Sequence, residues 1–139
     1  MKKISYILIL TSLLFSINLC AQEKEGFMNR VKGVFSPGYR IGTYTFKDGS
    51  VYTGDLKKCR PNGLGKTLFL NEDIYEGSYV NGRKEGLGEF RLHSGEKYAG
   101  NWVNDIQQGE GDYFYLNNNR YSGLWDNGFQ HGKGKMYYH

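Results

Sequence analysis

Apolar and polar residues alternate through most of the chain, and the alternation recurs with a period of 23 residues. Each repeat opens with Tyr-x-Gly, and a bulky apolar residue follows two positions after that glycine. Side chains two positions apart project from the same face of an extended chain, so this spacing predicts a β-strand. The opening tyrosines, at place 1 of each repeat, are Tyr52, Tyr75, Tyr98 and Tyr121.

A second alternating segment completes each repeat after glycines at places 12 and 14, with apolar residues at places 16 and 18 such as Tyr113 and Tyr115. Segments between the two strands, such as 81–86, are rich in residues that tolerate positive backbone dihedrals and are interpreted as turns. The sequence therefore predicts an all-β fold, an elongated single-layer antiparallel meander of repeated β-hairpins. The array is predicted to span residues 39–139, with units starting near 52, 75, 98 and 121 and a partial unit before 52.

One face of the predicted sheet carries the rings. The other face, which includes Thr53 and Glu76, is mostly polar. Glycines are predicted to make room for rings from adjacent strands. The rings are interpreted as cross-strand packing, and a second hypothesis is that they also bind a partner. The aromatic face consists of Tyr52, Tyr75, Tyr79, Tyr98, Trp102, Tyr121 and Trp125. The repeat-defining glycines are Gly54, Gly63, Gly65, Gly77, Gly86, Gly88, Gly100, Gly109, Gly111, Gly123, Gly132 and Gly134.

The first 21 residues have the pattern of a secretory signal peptide. Two lysines precede an apolar run from Ile4 to Leu14, which is too short to span a bilayer, and cleavage is predicted after Ala21. The protein is therefore expected to be exported, either periplasmic or secreted. The alternative is a lipoprotein anchored through Cys20, although the bulky Leu19 before it is unusual for such signals.

Residues 22–38 form an N-terminal segment before the array. Apolar residues between Phe27 and Phe35 recur at helical spacing and allow a short helix that caps the first hairpin. If Cys20 leaves with the signal, Cys59 is the only thiol and no intrachain disulfide can form. Burial as a small hydrophobe, or simple tolerance, is then favoured over pairing with another chain.

Charge and chemistry narrow the function classes. The formal net charge of +4 falls to +2 once Lys2 and Lys3 are removed, so nucleic-acid binding is not expected. His93, His131 and His139 lack further ligands at metal-binding spacing, and no nucleophile is paired with a base. The sequence predicts a protein that is not an enzyme and that has no cofactor, no catalytic residue and no metal site.

The sequence of residues 75–88, Tyr-Glu-Gly-Ser-Tyr-Val-Asn-Gly-Arg-Lys-Glu-Gly-Leu-Gly, resembles the signature of the MORN repeat family. Residues 98–102 match nearly as well. The first unit departs from the pattern with Leu56 at place 5 and with Cys-Arg-Pro in its turn, and the third has Asp105 where glycine is usual. The resemblance implies a single-layer sheet and a role in membrane attachment, phospholipid contact or scaffolding between proteins.

The leading hypothesis is an exported protein-interaction or scaffolding module whose partner is another envelope or extracellular protein. One alternative is peripheral binding to an anionic lipid surface through Arg83, Lys84, Lys133 and Lys135. Another is binding of cell-surface carbohydrate by the aromatic residues in 112–117. The C-terminal edge at 136–139 also predicts a weak homodimer, because unpaired strand edges invite pairing.

Overall fold

The computed structural model describes residues 39–139, which fold into one antiparallel sheet of nine strands in sequential order. The predicted all-β hairpin meander is confirmed. The predicted signal peptide and capping helix lie outside the described residues. The strands are β1 (Tyr39–Thr45), β2 (Val51–Lys57), β3 (Arg60–Leu68), β4 (Ile74–Val80), β5 (Arg83–Arg91), β6 (Lys97–Val103), β7 (Ile106–Phe114), β8 (Arg120–Asp126) and β9 (Phe129–Tyr137).

Within each unit, the two strands are joined by a turn of two residues. In the β4–β5 turn, Asn81 has a φ of 52° and Gly82 a φ of 86°. Positive φ at both positions is the type I′ geometry, whose twist matches that of the flanking strands. The corresponding turns of the other units are Lys58-Cys59, Asn104-Asp105 and Asn127-Gly128, all with positive φ.

The place-12 glycines lie inside strands, where they form β-bulges. Between the pairs Gly77↔Gly88 and Tyr79↔Lys84, one residue of β4 faces three residues of β5. Gly86, in this bulge, has a φ of 77° that side-chain-bearing residues rarely adopt. The interpretation of all of 81–86 as a turn is therefore wrong, because the chain reverses within two residues and the bulge absorbs the remainder.

Successive units are joined by wider turns that share one hydrogen-bond pattern. At the β1–β2 connection, the Gly49 amide donates to the Phe46 carbonyl at 3.0 Å and the Phe46 amide donates to the Ser50 carbonyl at 2.9 Å. The same two bonds recur 23, 46 and 69 residues further on. This constancy keeps the hairpins in one register along the sheet.

The hydrophobic core of the described residues lies on one face of the sheet. In β4, Tyr75 and Tyr79 are buried, and the buried positions of β2, β6 and β8 follow the same spacing. The other face is less polar than the sequence suggested, because it exposes Leu64, Leu87 and Leu124. The sheet covers this core with its own side chains.

Candidate functional site

Each place-1 tyrosine ring lies flat on a platform of two glycines. Gly77 of β4 and Gly88 of β5 face each other directly, and the Tyr75 side chain lies over them. A Cβ atom on Gly88 would lie less than 3.0 Å from the Tyr75 ring. Because the glycines leave this space free, Tyr75 is 0% exposed. The same clash would occur at Gly65 with Tyr52, at Gly111 with Tyr98 and at Gly134 with Tyr121.

The phenol of each of these tyrosines is satisfied by the backbone of its own unit. The Tyr75 hydroxyl donates to the Ser78 carbonyl at 3.1 Å, and the Tyr98 hydroxyl donates to the Asn101 carbonyl at 2.9 Å. Equivalent bonds run from Tyr52 to Asp55 and from Tyr121 to Leu124. Burial of the phenol is therefore compensated in every unit, as a buried donor requires.

The place-5 aromatics connect neighbouring units. Trp102 packs edge-to-face on Tyr75, with centroids 5.3 Å apart, and on Tyr98 at 5.2 Å. Its indole N–H donates to the Gly88 carbonyl of the preceding unit at 3.2 Å, and Trp125 repeats this bond to Gly111 at 3.1 Å. Edge-to-face pairs of this kind stabilise by about 0.5–1.5 kcal/mol each beyond the burial of area.

These contacts form one unbroken zigzag, which we call the ring ladder. It runs through Tyr52, Tyr79, Tyr75, Trp102, Tyr98, Trp125 and Tyr121. The ladder contains all seven residues of the aromatic face named from the sequence, and none is more than 8% exposed. They are interior side chains of the sheet and present little surface to a partner.

Burial also affects the chemistry of the ladder. Desolvation raises the pKa of Tyr79 and of Tyr98 to about 12, and it raises the pKa of Tyr52 and Tyr75 further. The Tyr79 hydroxyl also shares a 2.6 Å hydrogen bond with Thr67, which is buried. These phenols stay neutral at physiological pH and serve as hydrogen-bonding parts of the core.

A second set of rings remains accessible on the same face, and we call it the outer row. Its members are partly buried and pack against the ladder. The sequence predicts that the residues at places 16 and 18 lie on this face. It does not distinguish the outer row from the ladder, because both sets of rings follow the same alternation. The outer row consists of Tyr44, Phe46, Phe69, Phe90, Tyr113 and Tyr115.

Lys84 lies among these rings. Its Nζ atom is 4.6 Å from the centroid of Trp102, 4.9 Å from Phe90, 5.4 Å from Tyr75 and 5.5 Å from Phe69. We call these four rings and the ammonium group the lysine cage. Desolvation lowers the pKa of Lys84, and the negative charge of Asp105 opposes that shift. Lys84 is therefore not the freely exposed cation that the lipid hypothesis assumed.

The histidines and acidic residues lie on the surface of the described chain. His93 contacts Glu72 at 3.0 Å, with both side chains more than half exposed, and His131 and His139 are exposed. Within residues 39–139, no three His, Cys, Asp or Glu side chains are grouped so that they could hold a metal ion. No helix in this part of the chain is long and apolar enough to cross a membrane.

Cys59 occupies the second position of the β2–β3 turn with a φ of 60° and is exposed. Of the two favoured alternatives, burial as a small hydrophobe is therefore wrong, and tolerance at an exposed position stays a prediction. A two-residue turn carries both of its side chains at the tip of the hairpin, where the sheet cannot cover them.

The C-terminal edge of the array is formed by β9, which is exposed along its full length. Lys133 and Lys135 lie on it and alternate with glycine. Within the described residues β9 pairs only with β8, so its outer backbone groups face outward. Whether a second copy pairs there, as the sequence predicted, remains a prediction.

A sheet built from tandem 23-residue hairpins, each with a tyrosine on a platform of paired glycines, defines a single-sheet β-hairpin repeat protein. The MORN repeat model matches residues 41–51, 75–97, 98–120 and 121–139, more than half of the chain. The chain belongs to the MORN repeat family, as its resemblance indicated. A search of curated proteins found no match.

MORN repeats are commonly protein or membrane interaction modules, and the family is generally non-enzymatic. Residues 52–74, outside the four matched stretches, include the departures at Leu56 and Pro61. They still form β2 and β3, and their glycine platform still holds Tyr52. The fold therefore depends on the tyrosine and glycines more than on an aromatic at place 5.

Proposed function

We propose that this protein is a non-enzymatic, exported interaction module that binds another envelope or extracellular protein through its outer row. The observation that supports the proposal is the division of the ring-lined face into two layers. The ladder is interior, whereas the outer row is partly exposed and rests on it. A rigid row of accessible aromatic rings is the type of surface that protein interfaces enrich.

The rigidity of the support favours this role. Tyr113 contacts both Tyr115 and Trp125, with centroids 4.8 and 6.0 Å apart, so the accessible ring is held by its neighbours. Side chains that are already ordered lose less conformational freedom on binding. The outer row is therefore a better candidate contact surface than the exposed leucines of the opposite face, for which no ring contact holds the side chain in place.

A photo-crosslinking experiment tests the proposal. The photoreactive residue p-benzoyl-phenylalanine replaces Tyr115 in one variant and Leu87, which is 69% exposed on the opposite face, in the control. After irradiation of cells, the variant at 115 should form a discrete adduct with an envelope protein identified by mass spectrometry. Adducts at 87 but not at 115, or at neither position in folded protein, would contradict the proposal.

A peripheral membrane role is the second candidate, and cation–aromatic contacts on the opposite face favour it. Lys97, Phe114, Arg120 and Tyr137 are successive cross-strand neighbours. The Lys97 ammonium lies 4.4 Å from the Phe114 centroid, and the Arg120 guanidinium carbon lies 4.5 Å from that of Tyr137. Basic and aromatic side chains in one row suit the interface of an anionic membrane.

Vesicle flotation separates the two candidates. Wild-type protein and a Lys97→Gln, Arg120→Gln variant are mixed at low salt with vesicles containing phosphatidylserine. The membrane role predicts flotation of the wild type and its loss in the variant. If wild-type protein stays at the bottom of the gradient even at low ionic strength, where screening is weakest, the membrane role is excluded.

A further inference from the structure

The lysine cage identifies a kind of ligand that this face can accept. An ammonium group already lies over four aromatic rings at distances of 4.6 to 5.5 Å. A cation within about 6 Å of a ring centroid is attracted by the negative face of the ring. In this unit, the chain itself supplies the cation, from place 10 on β5.

The next unit repeats most of the cage without the lysine. Tyr113 and Trp125 are 6.0 Å apart with an interplanar angle of 37°, and the equivalent pair Phe90 and Trp102 is 6.1 Å apart at 47°. The position of Lys84 is taken by Gln107, which carries no charge. The residues that lie 23 positions after the four cage rings are Leu92, Tyr98, Tyr113 and Trp125.

An accessible cleft shares Tyr113 and Trp125 with this uncharged copy of the cage and opens on the side of Tyr115 and Gln130. It has a volume of about 430 Å³ and is lined by Tyr113, Tyr115, Trp125, Gly128, Phe129 and Gln130. Tyr115 adds a ring 4.8 Å from Tyr113, and Phe129 is 75% exposed at the mouth. We call this space the aromatic cleft.

One acidic side chain, Glu96, acts on a ring of the cleft. Glu96 lies close enough to Tyr113 to interact with its phenol by charge and by hydrogen bonding. Together with burial, which has the larger effect, this raises the pKa of Tyr113 to about 12. A neutral ring with a carboxylate beside it combines the quadrupole and the charge that attract an ammonium group.

We infer that the aromatic cleft binds a lysine side chain of a partner protein, placing its ammonium group over Tyr113 and Trp125 as Lys84 lies over Phe90 and Trp102. The inference rests on the proposed function, because it specifies one contact made by the outer row. It commits the cleft to a cationic side chain rather than to a sugar ring, which would stack on the same rings without needing Glu96.

The two tryptophans provide separate reporters, since Trp102 belongs to the lysine cage and Trp125 to the cleft. The protein is purified in the form that the cells produce and is titrated with Nα-acetyl-lysine methylamide. Nuclear magnetic resonance follows the two indole N–H signals during the titration. The matched probe is Nα-acetyl-norleucine methylamide, which lacks the ammonium group. Methyl glucoside serves as the sugar probe.

The inference predicts a saturable shift of the Trp125 signal with the lysine probe. The affinity for the norleucine probe should be lower than that for the lysine probe by at least about fivefold. The Trp102 signal should not move. Equal responses to the lysine and norleucine probes would overturn the inference, as would a response to the sugar alone or to none of the probes. In each case a crosslink at position 115 would still support the proposed function, so the two failures are distinguishable.

Two exchanges of side chains between the repeats complete the test. Gln107→Lys supplies an internal cation to Tyr113 and Trp125, the two rings that the cleft shares with the copy of the cage, and should abolish the Trp125 response. Lys84→Gln empties the lysine cage and should make Trp102 respond as well. The control, Leu124→Lys, adds the same charge to the opposite face and should leave the Trp125 response unchanged. Equal loss of the response in Gln107→Lys and Leu124→Lys would mean that net charge, rather than occupation of the cage, governs binding.

Discussion

At the residue scale, the absence of a side chain at place 14 determines how the core is built. Each tyrosine ring lies where a Cβ atom would otherwise lie, over a glycine of the adjacent strand. The ring gains burial, and its hydroxyl finds a carbonyl three residues on. Glycine is therefore required at this place for steric reasons, since Gly88 does not have the positive φ that favours glycine elsewhere.

The substitution Gly88→Ala should destabilise the protein by about 3 kcal/mol, the upper end of overpacking effects, because the Tyr75 ring has no free space to move into. Gly82→Ala is the control: a Cβ there meets no atom within 4 Å, and only its positive φ is unfavourable, by about 1 kcal/mol. Urea denaturation measures both. Equal destabilisation by the two substitutions would argue against the platform.

Lys84 shows where reasoning from the sequence failed at this scale. The rings of the lysine cage follow the alternation, and the sequence placed them on one face. The lysine was assigned to a turn because 81–86 is rich in residues typical of turns. Once the turn closes at Asn81 and Gly82, Lys84 belongs to β5 and pairs with Tyr79 on the ring-lined face. The error therefore arose from the turn length, which composition alone does not determine.

At the element scale, the last three tight turns also contact the hairpin before them. The Gly82 amide donates to the Pro61 carbonyl at 2.8 Å, and the Asp105 amide donates to the Lys84 carbonyl at 3.1 Å. Gly128 repeats this bond with Gln107 at 3.0 Å. The acceptor is the place-10 residue in all three cases, so the turns add links between units beyond the strand pairing.

The turn geometry predicts the effect of two substitutions at Asn81, whose φ is 52°. Asn81→Ala should lower the free energy of unfolding by about 1 kcal/mol. Positive φ is unfavourable for residues with a Cβ atom, and alanine lacks the side-chain amide with which asparagine forms local hydrogen bonds in this conformation. Asn81→Gly should be nearly neutral, since glycine adopts positive φ readily. Thermal unfolding measures both variants, and an alanine variant as stable as the glycine variant would contradict the assigned turn.

The number and order of the strands could be predicted because the period is regular and each strand alternates. The bulges could not be predicted, because a glycine at place 12 is equally compatible with a turn and with a strand irregularity. Burial of Cys59, one of the two favoured alternatives, was inferred from residue type and is wrong. A two-residue turn places it at the exposed tip.

At the scale of the whole molecule, a single layer can have a core because neighbouring units bury each other's rings. The ladder crosses every boundary between the units that start at 52, 75, 98 and 121, through Tyr52–Tyr79, Tyr75–Trp102 and Tyr98–Trp125. Stability in such an array is approximately a sum of unit and interface contributions. The sequence identified the rings of this core, but only coordinates could divide the ring-lined face into a buried ladder and an accessible outer row.

The raised tyrosine pKa values predict unfolding at alkaline pH. In the unfolded chain the phenols lose their protons near pH 10, whereas in the folded state Tyr79 and Tyr98 do so only at about 12. Their contribution to stability is therefore complete below about pH 10 and is lost as the pH rises towards 12.

An alkaline titration monitored by tyrosinate absorbance and circular dichroism measures this effect. The absorbance of the ladder tyrosines should increase together with the loss of the β signal, above pH ~10. Ionisation of all tyrosines near pH 10 with an unchanged β signal would show that the ladder is open to water.

Hydrogen exchange of the two indole N–H groups tests the buried ladder most directly. Trp102 and Trp125 are 3% and 6% exposed, and each donates to a glycine carbonyl of the preceding unit. Both protons should exchange with deuterium far more slowly than those of free indole under the same conditions, as buried and hydrogen-bonded groups do. Exchange of both at the rate of free indole, in protein that retains its β signal, would contradict an interior ring ladder.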